Sequence, residues 1–279
     1  MDINKFIENA LFEDLRDQGD HSTLASIPPD IADKARLLVK DDGVLAGVEL
    51  AKQIFEKVDP DLKMEVFLED GASIKFGDEA FHVSGKSQSL LSAERLVLNC
   101  MQRMSGIATK TKLFTDLVAG TNAKILDTRK TTPGMRYLEK WAVRIGGGHN
   151  HRMGLYDMIM LKDNHVDFCG GIKQAILKTN EYIANKKLDI KIEIETRSLD
   201  EVQQVLDVGK VNRIMLDNFP PEKIVEALKL IDGKYETEAS GGITLDTVRS
   251  YADTGVDYIS VGALTHSYKS MDLSLKAMK

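Results

Sequence analysis

The chain has 279 residues, of which 43% are hydrophobic and 29% charged, and its formal net charge is −6 at pH 7. This composition is ordinary for a globular protein with one large domain or with a large and a small one. No apolar run is long enough to span a bilayer, and the acidic balance argues against a nucleic-acid-binding protein, which needs a basic surface. The first residues lack the pattern of a signal peptide, and Cys100 and Cys169 form no CxxC or metal-binding pattern, so we expect a cytoplasmic protein with reduced thiols.

The first hundred residues combine short β-rich runs with two helical segments. Helices are predicted over 48–58 and over 92–107, the second with Ser92 as its N-cap. The predicted strands are 35–40, 43–46, 63–68, 73–76 and 80–83. This half of the chain is therefore expected to form an α+β module.

From about Lys124 onward, apolar β-rich runs alternate with amphipathic helical stretches. The predicted strands are 124–127, 158–162, 190–195, 213–217, 235–239 and 257–261. The predicted helices are 135–144, 171–185, 199–208, 221–231 and 245–254. Such alternation predicts a parallel sheet with crossover helices, and the last four strands end at a regular spacing of 22 residues. The regular spacing favours a (β/α) barrel over a doubly wound sheet, and six strands instead of eight indicate an incomplete barrel or missed strands.

Polar groups or glycines follow nearly every strand of this second half. In a (β/α) barrel the C-terminal ends of the strands meet at one mouth, where functional groups gather. The groups at these ends are Asp127-Thr128-Arg129-Lys130, Lys162-Asp163-Asn164, Glu195, Asp217-Asn218, Ser240-Gly241-Gly242 and Gly262-Ala263. Any one of them could be a solvated loop residue, but six such ends converging on one mouth predict a binding site.

The segment 127–165 is basic in an otherwise acidic chain. It carries seven Lys or Arg residues against four acids, a balance of +3, and it includes His149, His151 and His165. Arg and Lys are the side chains that clamp carboxylates and phosphates, so this segment predicts a site for a small, multiply charged anion. His149 and His151 have no third metal ligand nearby in the sequence, so a histidine beside Arg152 is better interpreted as a hydrogen-bond donor to an anion.

Glycines and acids at the late strand ends indicate two further parts of the site. Gly241-Gly242 and Gly262 follow the last two strands, where barrels often form a phosphate-binding cup from backbone N–H groups, although ordinary turn glycines are the alternative. Glu195 and Asp217 end neighbouring strands and could hold Mg²⁺ through waters, accept hydrogen bonds from sugar hydroxyls, or form surface salt bridges. Glu193 lies on the same strand face as Glu195, and two inward acids in one barrel strand need a purpose.

Several contiguous motifs are similar to those of one known enzyme family. They are D-T-R-K-T-T-P-G at 127–134, G-G-G-H-N-H-R at 146–152, L-K-D-N-H at 161–165 and A-S-G-G-I at 239–243. Together with A-E-R-L-V-L-N at 93–99 and S-G-I-A-T at 105–109, they resemble quinolinate phosphoribosyltransferase, also called carboxylating nicotinate-nucleotide pyrophosphorylase. The resemblance runs essentially from end to end, and the length of the motifs makes it specific.

This resemblance implies a two-domain α/β enzyme. Residues 1–107 would form an N-terminal α/β sandwich domain, 108–267 an open, incomplete (β/α) barrel, and 268–279 a C-terminal segment that returns to the first domain. The implied reaction joins quinolinate to phosphoribosyl pyrophosphate with Mg²⁺ and gives nicotinate mononucleotide, pyrophosphate and CO₂. The implied assembly is a homodimer, or a larger assembly of dimers, with active sites at the subunit interface.

Residues that match the family motifs take their roles from the resemblance. Arg129, His151 and Arg152 would bind quinolinate, joined by Arg95 of the partner subunit. Lys130 and Lys162 would contact both anionic substrates and, with Glu195 and Asp217, form the catalytic set.

The donor side of the site follows in the same way. Glu195 and Asp217 would hold the ribose hydroxyls and would contact Mg²⁺ indirectly, through water. The 5′-phosphate cup would consist of Ser240, Gly241, Gly242, Gly262 and Ala263, and Thr128 completes the substrate-binding set. No nucleic acid, membrane or organic cofactor is implied.

Two alternatives remain open at this point. One is a related phosphoribosyltransferase found with molybdate transport genes, against which the motif with His151 and the motif with Lys162 speak because they supply groups for a second carboxylate. The other is a catalytically silent binding protein on the same fold. Loss of Arg129, Lys162, Glu195 or Asp217 would have indicated a silent protein, and all four are present.

Overall fold

The computed structural model describes residues 2–278, and the chain divides into two compact units. Unit 1 comprises the residues up to Lys112, residues Tyr137–Gly147 and the residues from Tyr268 onward. Unit 2 comprises Leu113–Arg136 and Gly148–Ser267. Within the described residues, no helix combines the length and the apolarity that a membrane crossing requires.

The helices and strands alternate along the chain as the α/β class requires. The helices are α1 (Ile3–Leu15), α2 (His21–Ser26), α3 (Val48–Val58), α4 (Ser87–Leu117), α5 (Arg136–Ile145), α6 (Asp163–Cys169), α7 (Ile172–Lys186), α8 (Leu199–Val208), α9 (Pro221–Ile231), α10 (Val248–Ala252) and α11 (Ala263–His266). The strands are β1 (Ala32–Val39), β2 (Gly43–Val44), β3 (Lys63–Val66), β4 (Ser73–Ile74), β5 (Glu79–Lys86), β6 (Lys124–Leu126), β7 (Met158–Leu161), β8 (Lys191–Thr196), β9 (Arg213–Asp217), β10 (Glu236–Ser240), β11 (Tyr258–Ser260) and β12 (Leu273–Ala277).

Unit 1 is built on an antiparallel sheet of four strands in the order β12-β1-β5-β3. Along β1 buried and half-buried residues alternate, because successive side chains of a strand point to opposite faces. Leu37 of β1 pairs with Phe81 of β5, and the ring of Phe81 packs edge-on against Phe55 of α3 at 6.1 Å between centroids. The hydrophobic face of α3 therefore covers this sheet. The pairing of β12 with β1 brings the last strand of the chain to the sheet edge of this unit.

Helix α4 is much longer than the predicted segment 92–107, and the prediction that Ser92 caps it is wrong. The helix begins at Ser87, so Ser92 lies within it, because nothing between 87 and 91 interrupts helical hydrogen bonding. The helix also continues through Gly106, where a Cβ would lie 2.1 Å from the carbonyl oxygen of Lys269. Gly106 is needed for this close backbone approach in unit 1, and it does not end the helix.

Unit 2 is built on a parallel sheet of six strands in the order β6-β11-β10-β9-β8-β7. Each of the strands β7 to β11 is followed by one or more helices, as the alternating pattern predicted. Strands β6 and β7 end the order and are not paired with each other within residues 2–278, so the barrel is open. The predicted open, incomplete (β/α) barrel is confirmed.

Segment 135–144, which the sequence pattern placed between the first two barrel strands, does form a helix, α5. All of α5 except Arg136 belongs to unit 1, so this helix is not one of the crossover helices of unit 2. Helices α8 and α9, in contrast, begin and end at the predicted residues. A parallel sheet brings all its C-terminal strand ends to one side, and this side of unit 2 carries the candidate site.

Candidate active site

A cavity of about 870 Å³ opens at the C-terminal ends of the strands of unit 2. Every residue to which the family resemblance assigned a role lines it, except Arg95. These residues are Thr128, Arg129, Lys130, His151, Arg152, Lys162, Glu195, Asp217, Ser240, Gly241, Gly242, Gly262 and Ala263. The fold thus brings together groups that are spread over 136 positions of the chain, from Thr128 to Ala263.

Arg95 has a different position. It is an exposed residue of α4 in unit 1, and it is not among the residues that line the cavity. Within one described chain, the structure therefore does not bring Arg95 together with the other predicted quinolinate ligands.

Further lining residues escaped the sequence analysis. They are Met160, Met215, Glu238, Ile243, Thr244, Ser260, Val261 and His266, whereas the lining residues Asp163 and Asn218 had been named as strand-end groups. One of them carried a usable signal, because Glu238 lies two residues before Ser240 on β10 and so shares its strand face. This is the same relationship that drew attention to Glu193 and Glu195.

Two guanidinium groups, those of Arg129 and Arg152, line the cavity. Arg152 is buried, its Nη1 donates to the carbonyl oxygen of Met158 at 3.1 Å, and burial together with the nearby charge of Arg129 lowers the pKa of Arg152. The Nε of Arg129 is also buried and has no hydrogen-bond partner within residues 2–278. Two mutually repelling, partly dehydrated cations favour an anion between or beside them.

The segment that carries His151 and Arg152 is fixed by Asp127, which is fully buried at the end of β6. One carboxylate oxygen of Asp127 accepts the N–H of His151 at 2.9 Å, and the other accepts the side-chain amide of Asn150 at 2.5 Å. His149 donates its backbone N–H to Ile125 and extends the pairing of β6. His149 therefore serves the main-chain geometry, while His151 lines the cavity. The third histidine of this basic segment, His165, accepts the backbone N–H of Lys162 at the start of α6.

Two carboxylates, Glu195 and Asp217, line the same cavity from neighbouring strands, β8 and β9. Glu195 forms an ion pair with Lys162, the residue that directly follows β7. Asp217 accepts a hydrogen bond from the side chain of Asn218 at 2.8 Å, and burial raises its pKa despite the nearby charge of Lys162. These carboxylates are hard oxygen ligands of the kind that Mg²⁺ prefers. Among the described residues they belong to no group of three candidate metal ligands.

The glycine loops leave space that side chains would fill. A Cβ on Gly241, whose φ is +104°, would lie 2.2 Å from Oδ1 of Asn218. A Cβ on Gly262 would lie 3.0 Å from the side chain of Lys130 and 3.2 Å from the ring of His266. Gly241 is therefore required by close packing and by its positive φ, whereas a side chain at Gly262 would require its neighbours to shift by a few tenths of an ångström; both glycines line the cavity.

At the floor of the cavity, buried charges surround the ring of His151. Its Nε2 lies 2.9 Å from a carboxylate oxygen of Glu193 and 3.4 Å from one of Glu238, and Arg213 donates to Glu238 at 2.9 Å. His151, Glu193 and Glu238 could in principle hold a metal ion, since their ligand atoms lie within 4.8 Å of one another. The guanidinium of Arg213 already occupies one of these oxygens, so the protein itself supplies cations to the pair of acids.

The pKa values in this cluster follow from burial and charge. Burial disfavours the imidazolium of His151, but hydrogen bonding and charge from Glu193 and Glu238 outweigh it and raise the pKa to about 9. Nδ1 of the same ring accepts the backbone N–H of Arg152 at 2.6 Å, which favours the neutral ring. Two carboxylates outweigh one backbone dipole, so the net direction is upward. Burial and the charge of Glu238 raise the pKa of Glu193 to about 7.

Comparison with known families gives matches over nearly the whole chain. The model described as "Quinolinate phosphoribosyl transferase, N-terminal domain" matches residues 20–105. The model described as "Quinolinate phosphoribosyl transferase, C-terminal domain" matches residues 107–276. The two domains of one family are therefore matched one after the other along the chain.

Individual relatives agree with the family models. The chain is 49% identical over 289 aligned positions to "Nicotinate-nucleotide pyrophosphorylase [carboxylating], chloroplastic" of Arabidopsis thaliana, covering 99% of this chain and 82% of the relative. It is 41% identical over 275 positions to "Probable nicotinate-nucleotide pyrophosphorylase [carboxylating]" of Bacillus subtilis, covering 99% and 93%. The crystal structure of NadC from Streptococcus pyogenes superposes with a TM-score of 0.93 at 37% identity, covering 99% of this chain and 97% of that one.

Proposed function

Because the chain belongs to the quinolinate phosphoribosyltransferase family, we propose that it transfers the phosphoribosyl group of phosphoribosyl pyrophosphate to quinolinate. The products are nicotinate mononucleotide, pyrophosphate and CO₂, which places the enzyme in NAD biosynthesis. The observation that carries this proposal is that a single cavity is lined both by Arg129 and Arg152, which we call its cationic side, and by Glu195 and Asp217, which we call its acidic side. The first side suits a dicarboxylate and the second suits a sugar with its metal ion.

We assign quinolinate to the cationic side. Its two carboxylates need several donors, and Arg129 and Arg152 present guanidinium groups that can bind carboxylates in a bidentate manner. The unpartnered buried Nε of Arg129 within the described chain supports this assignment, because a buried donor without an acceptor is costly until a ligand supplies one. His151, Lys130 and Lys162 line the same cavity, and we expect the two lysines to contact both substrates.

We assign the ribosyl donor to the acidic side and the glycine loops. Glu195 and Asp217 would accept hydrogen bonds from the ribose hydroxyls. The 5′-phosphate would lie in the cup of Ser240, Gly241, Gly242, Gly262 and Ala263. The close packing of Gly241 on Asn218 and of Gly262 on Lys130 supports the cup, since only glycine leaves this backbone open to an anion.

We propose Mg²⁺ as the metal, held by Glu195 and Asp217 together with waters and donor oxygens. When bound, Mg²⁺ would supply positive charge to the pyrophosphate group as it leaves. The chain's own contribution is the ion pair of Lys162 with Glu195, which keeps an ammonium group beside the acids and within reach of the same leaving group.

The reaction requires positioning and charge and no protein nucleophile. The lone pair of the quinolinate ring nitrogen forms a bond to C1 of the ribosyl group, and the bond from C1 to the pyrophosphate oxygen breaks, with its electron pair leaving on pyrophosphate. The ring nitrogen becomes cationic. It then stabilises the electron pair that remains on the adjacent ring carbon when the neighbouring carboxylate departs as CO₂, and that carbon takes up a proton. Lys130 and Lys162 stabilise developing phosphate charge in a partly dehydrated cavity.

We further propose a homodimer, or an assembly of dimers, in which Arg95 of the partner subunit completes the quinolinate site. The support is the resemblance that assigns Arg95 to quinolinate, combined with the position of Arg95 outside the cavity lining of its own described chain. Light scattering coupled to size-exclusion chromatography would measure the mass directly, and a monomer at assay concentration would contradict the proposal.

A cytoplasmic location is part of the proposal as well. Cys100 and Cys169 are both unpaired thiols, as is usual in a reducing compartment. The A. thaliana relative is named as chloroplastic, so location can differ within the family. Cell fractionation with an antibody against the protein would decide it, and enrichment in an organelle fraction would contradict the cytoplasmic assignment.

The activity itself is tested by release of labelled CO₂ from quinolinate that carries the label in its 2-carboxylate. Release should require the protein, phosphoribosyl pyrophosphate and Mg²⁺ together, and nicotinate mononucleotide should form in equal amount. Nicotinate offered in place of quinolinate should give little product, because it lacks one of the two carboxylates. Absence of CO₂ release with all components present, from folded protein, would reject the proposed function.

A further inference from the structure

Two buried carboxylates, Glu238 in the lining of the cavity and Glu193 next to it, have no role in the reaction as described so far. Glu193 of β8 and Glu238 of β10 are both 0% exposed. Each lies two residues before a cavity-lining residue of its own strand, Glu195 in one case and Ser240 in the other. Burying a carboxylate is unfavourable unless cations or hydrogen-bond donors compensate it, so two such groups at an anion site call for an explanation.

Both carboxylates are directed at His151. The ring Nε2 lies 2.9 Å from Glu193 and 3.4 Å from Glu238, so two strands that flank β9 approach the same ring nitrogen. The other ring nitrogen, Nδ1, accepts the backbone N–H of Arg152 at 2.6 Å. The imidazole therefore connects the buried acids to the main chain of a residue that we assign to quinolinate.

Arg213 of β9 compensates the negative charge of the two buried acids. Its Nη1 donates to Glu238 at 2.9 Å, and its guanidinium lies 3.9 Å from the ring centre of Tyr258. A second acid, Glu236, accepts from the outer side of the same guanidinium at 3.2 Å and is 35% exposed in its side chain. Arg213 thus offsets the charge of the buried pair, and Glu236 contacts Arg213 without lining the cavity.

We propose that Glu193 and Glu238 are positioning residues for quinolinate binding. They hold the imidazole of His151 and, through Nδ1, the main chain at Arg152, so that both residues meet the substrate carboxylates without rearrangement. This inference rests on the proposed function, because it assumes that the cationic side of the cavity binds quinolinate.

A purely electrostatic role and a positioning role predict opposite effects on quinolinate affinity when these acids are removed. An anion at the site repels a dianion, so simple charge counting predicts that its removal strengthens quinolinate binding. Positioning predicts weaker binding, because a freed imidazole and a loosened Arg152 must be ordered by the ligand at a cost in free energy. Arg213 reduces the repulsive effect, which leaves positioning as the larger of the two.

The test uses Glu193→Gln and Glu238→Gln, which keep side-chain shape and remove the charge. Calorimetric titration should show quinolinate affinity reduced by about tenfold or more in each, with the KM for phosphoribosyl pyrophosphate changed by no more than about twofold. Glu236→Gln is the matched control, since it shares the strand and the Arg213 contact but does not touch His151. It should retain the affinity of the unchanged protein. Equal or tighter quinolinate binding in both buried variants would overturn the inference.

A double-mutant cycle separates positioning from a general effect on the fold. If Glu238 acts through His151, then Glu238→Gln should weaken quinolinate binding in the presence of His151 and have almost no further effect in His151→Ala. Additive losses in the double variant would reject action through His151. If one Gln variant does not fold, the double-mutant cycle with His151→Ala is measured with the other. Glu238→Asp, which keeps the charge but shortens the side chain, is a further variant for the same cycle. Failure of the unchanged protein to bind quinolinate would instead reject the proposed function.

Discussion

Gly241 packs against Asn218 so closely that a Cβ on Gly241 would lie 2.2 Å from Oδ1 of Asn218. The two residues follow neighbouring strands, β10 and β9, and the backbone N–H of Asn218 donates to the carbonyl oxygen of Ser240 at 2.8 Å. This contact joins the loop that we assign to phosphate with the loop that carries Asp217. A side chain at Gly241 would separate them.

Gly241→Ala should therefore impair use of the phosphoribosyl donor. We expect the KM for phosphoribosyl pyrophosphate to rise by at least about tenfold while the calorimetric affinity for quinolinate stays within about twofold. Gly255→Ala is the matched control, because Gly255 also has a positive φ, +91°, but has no atom within 4 Å of its Cβ position and does not line the cavity. Both variants bear the strain of alanine at positive φ, so a loss shared equally by both would contradict a specific role of Gly241.

Arg152→Ala and Arg129→Ala should each weaken quinolinate binding. Removal of a guanidinium that clamps a carboxylate leaves a partly buried anion unpaired, which typically costs about 2–5 kcal/mol. Calorimetric titration with quinolinate measures this directly. Arg249→Ala is a suitable control, since Arg249 is an exposed arginine of unit 2 paired with Asp253. Unchanged affinity in both cavity variants would remove the assignment of quinolinate to this side.

Asp217→Asn and Glu195→Gln should chiefly damage turnover and the response to Mg²⁺. Both changes remove a carboxylate charge with little change of shape, so we expect kcat/KM for the donor to fall on the order of a hundredfold and the Mg²⁺ concentration for half-maximal rate to rise. Quinolinate affinity measured without donor should survive. Asp253→Asn provides an exposed acid as the control. A variant with normal donor kinetics and lost quinolinate binding would reverse the roles of the two sides.

His151 should make the folded protein less stable as the pH rises from neutral to 9. Its folded-state pKa is raised from 6.5 to about 9, so its contribution is fully present below pH 6.5 and is lost as the pH rises through the folded value. At about 1.4 kcal/mol per pH unit, the loss is about 3 kcal/mol. Thermal unfolding measured between pH 6 and 9 should show a falling midpoint, and His151→Gln should show a much shallower fall. Parallel profiles for the two proteins would mean that His151 is not held charged.

Arg95→Ala and Arg129→Ala should complement each other if Arg95 of the partner subunit completes the site. Each variant alone should be nearly inactive. A hybrid dimer has one site with both lesions and one site with neither, so mixed subunits should recover activity toward half per hybrid. Subunit exchange would be verified by tagged chains of different mass. No recovery despite exchange would show that Arg95 serves its own chain or no site at all.

The site residues could be predicted from the sequence because they follow predicted strands. Each strand is recognisable from a short run of apolar residues. Arg129, Lys162, Glu195 and Asp217 each lie at or directly after an apolar run, and parallel strands bring such positions to one side of a sheet. The bounds of α8 and α9 could likewise be predicted from adjacent residues. A serine N-cap precedes Leu199 at the start of α8, and Pro221 marks the start of α9. Patterns of this kind depend on a few adjacent residues and need no knowledge of the tertiary fold.

Tertiary structure decided the features that depend on distant partners. The sequence marked Glu193 as an inward acid and gave Glu238 and Arg213 no role, and only the order β10-β9-β8 packs the three into one buried cluster with His151. The sequence pattern predicted a helix that ends at residue 107, yet α4 continues to Leu117, and the backbone at Lys269 requires the glycine at position 106. Local propensity amounts to about 1 kcal/mol at such a position, whereas burial and charge pairing contribute several, so long-range packing determines the outcome wherever the two conflict.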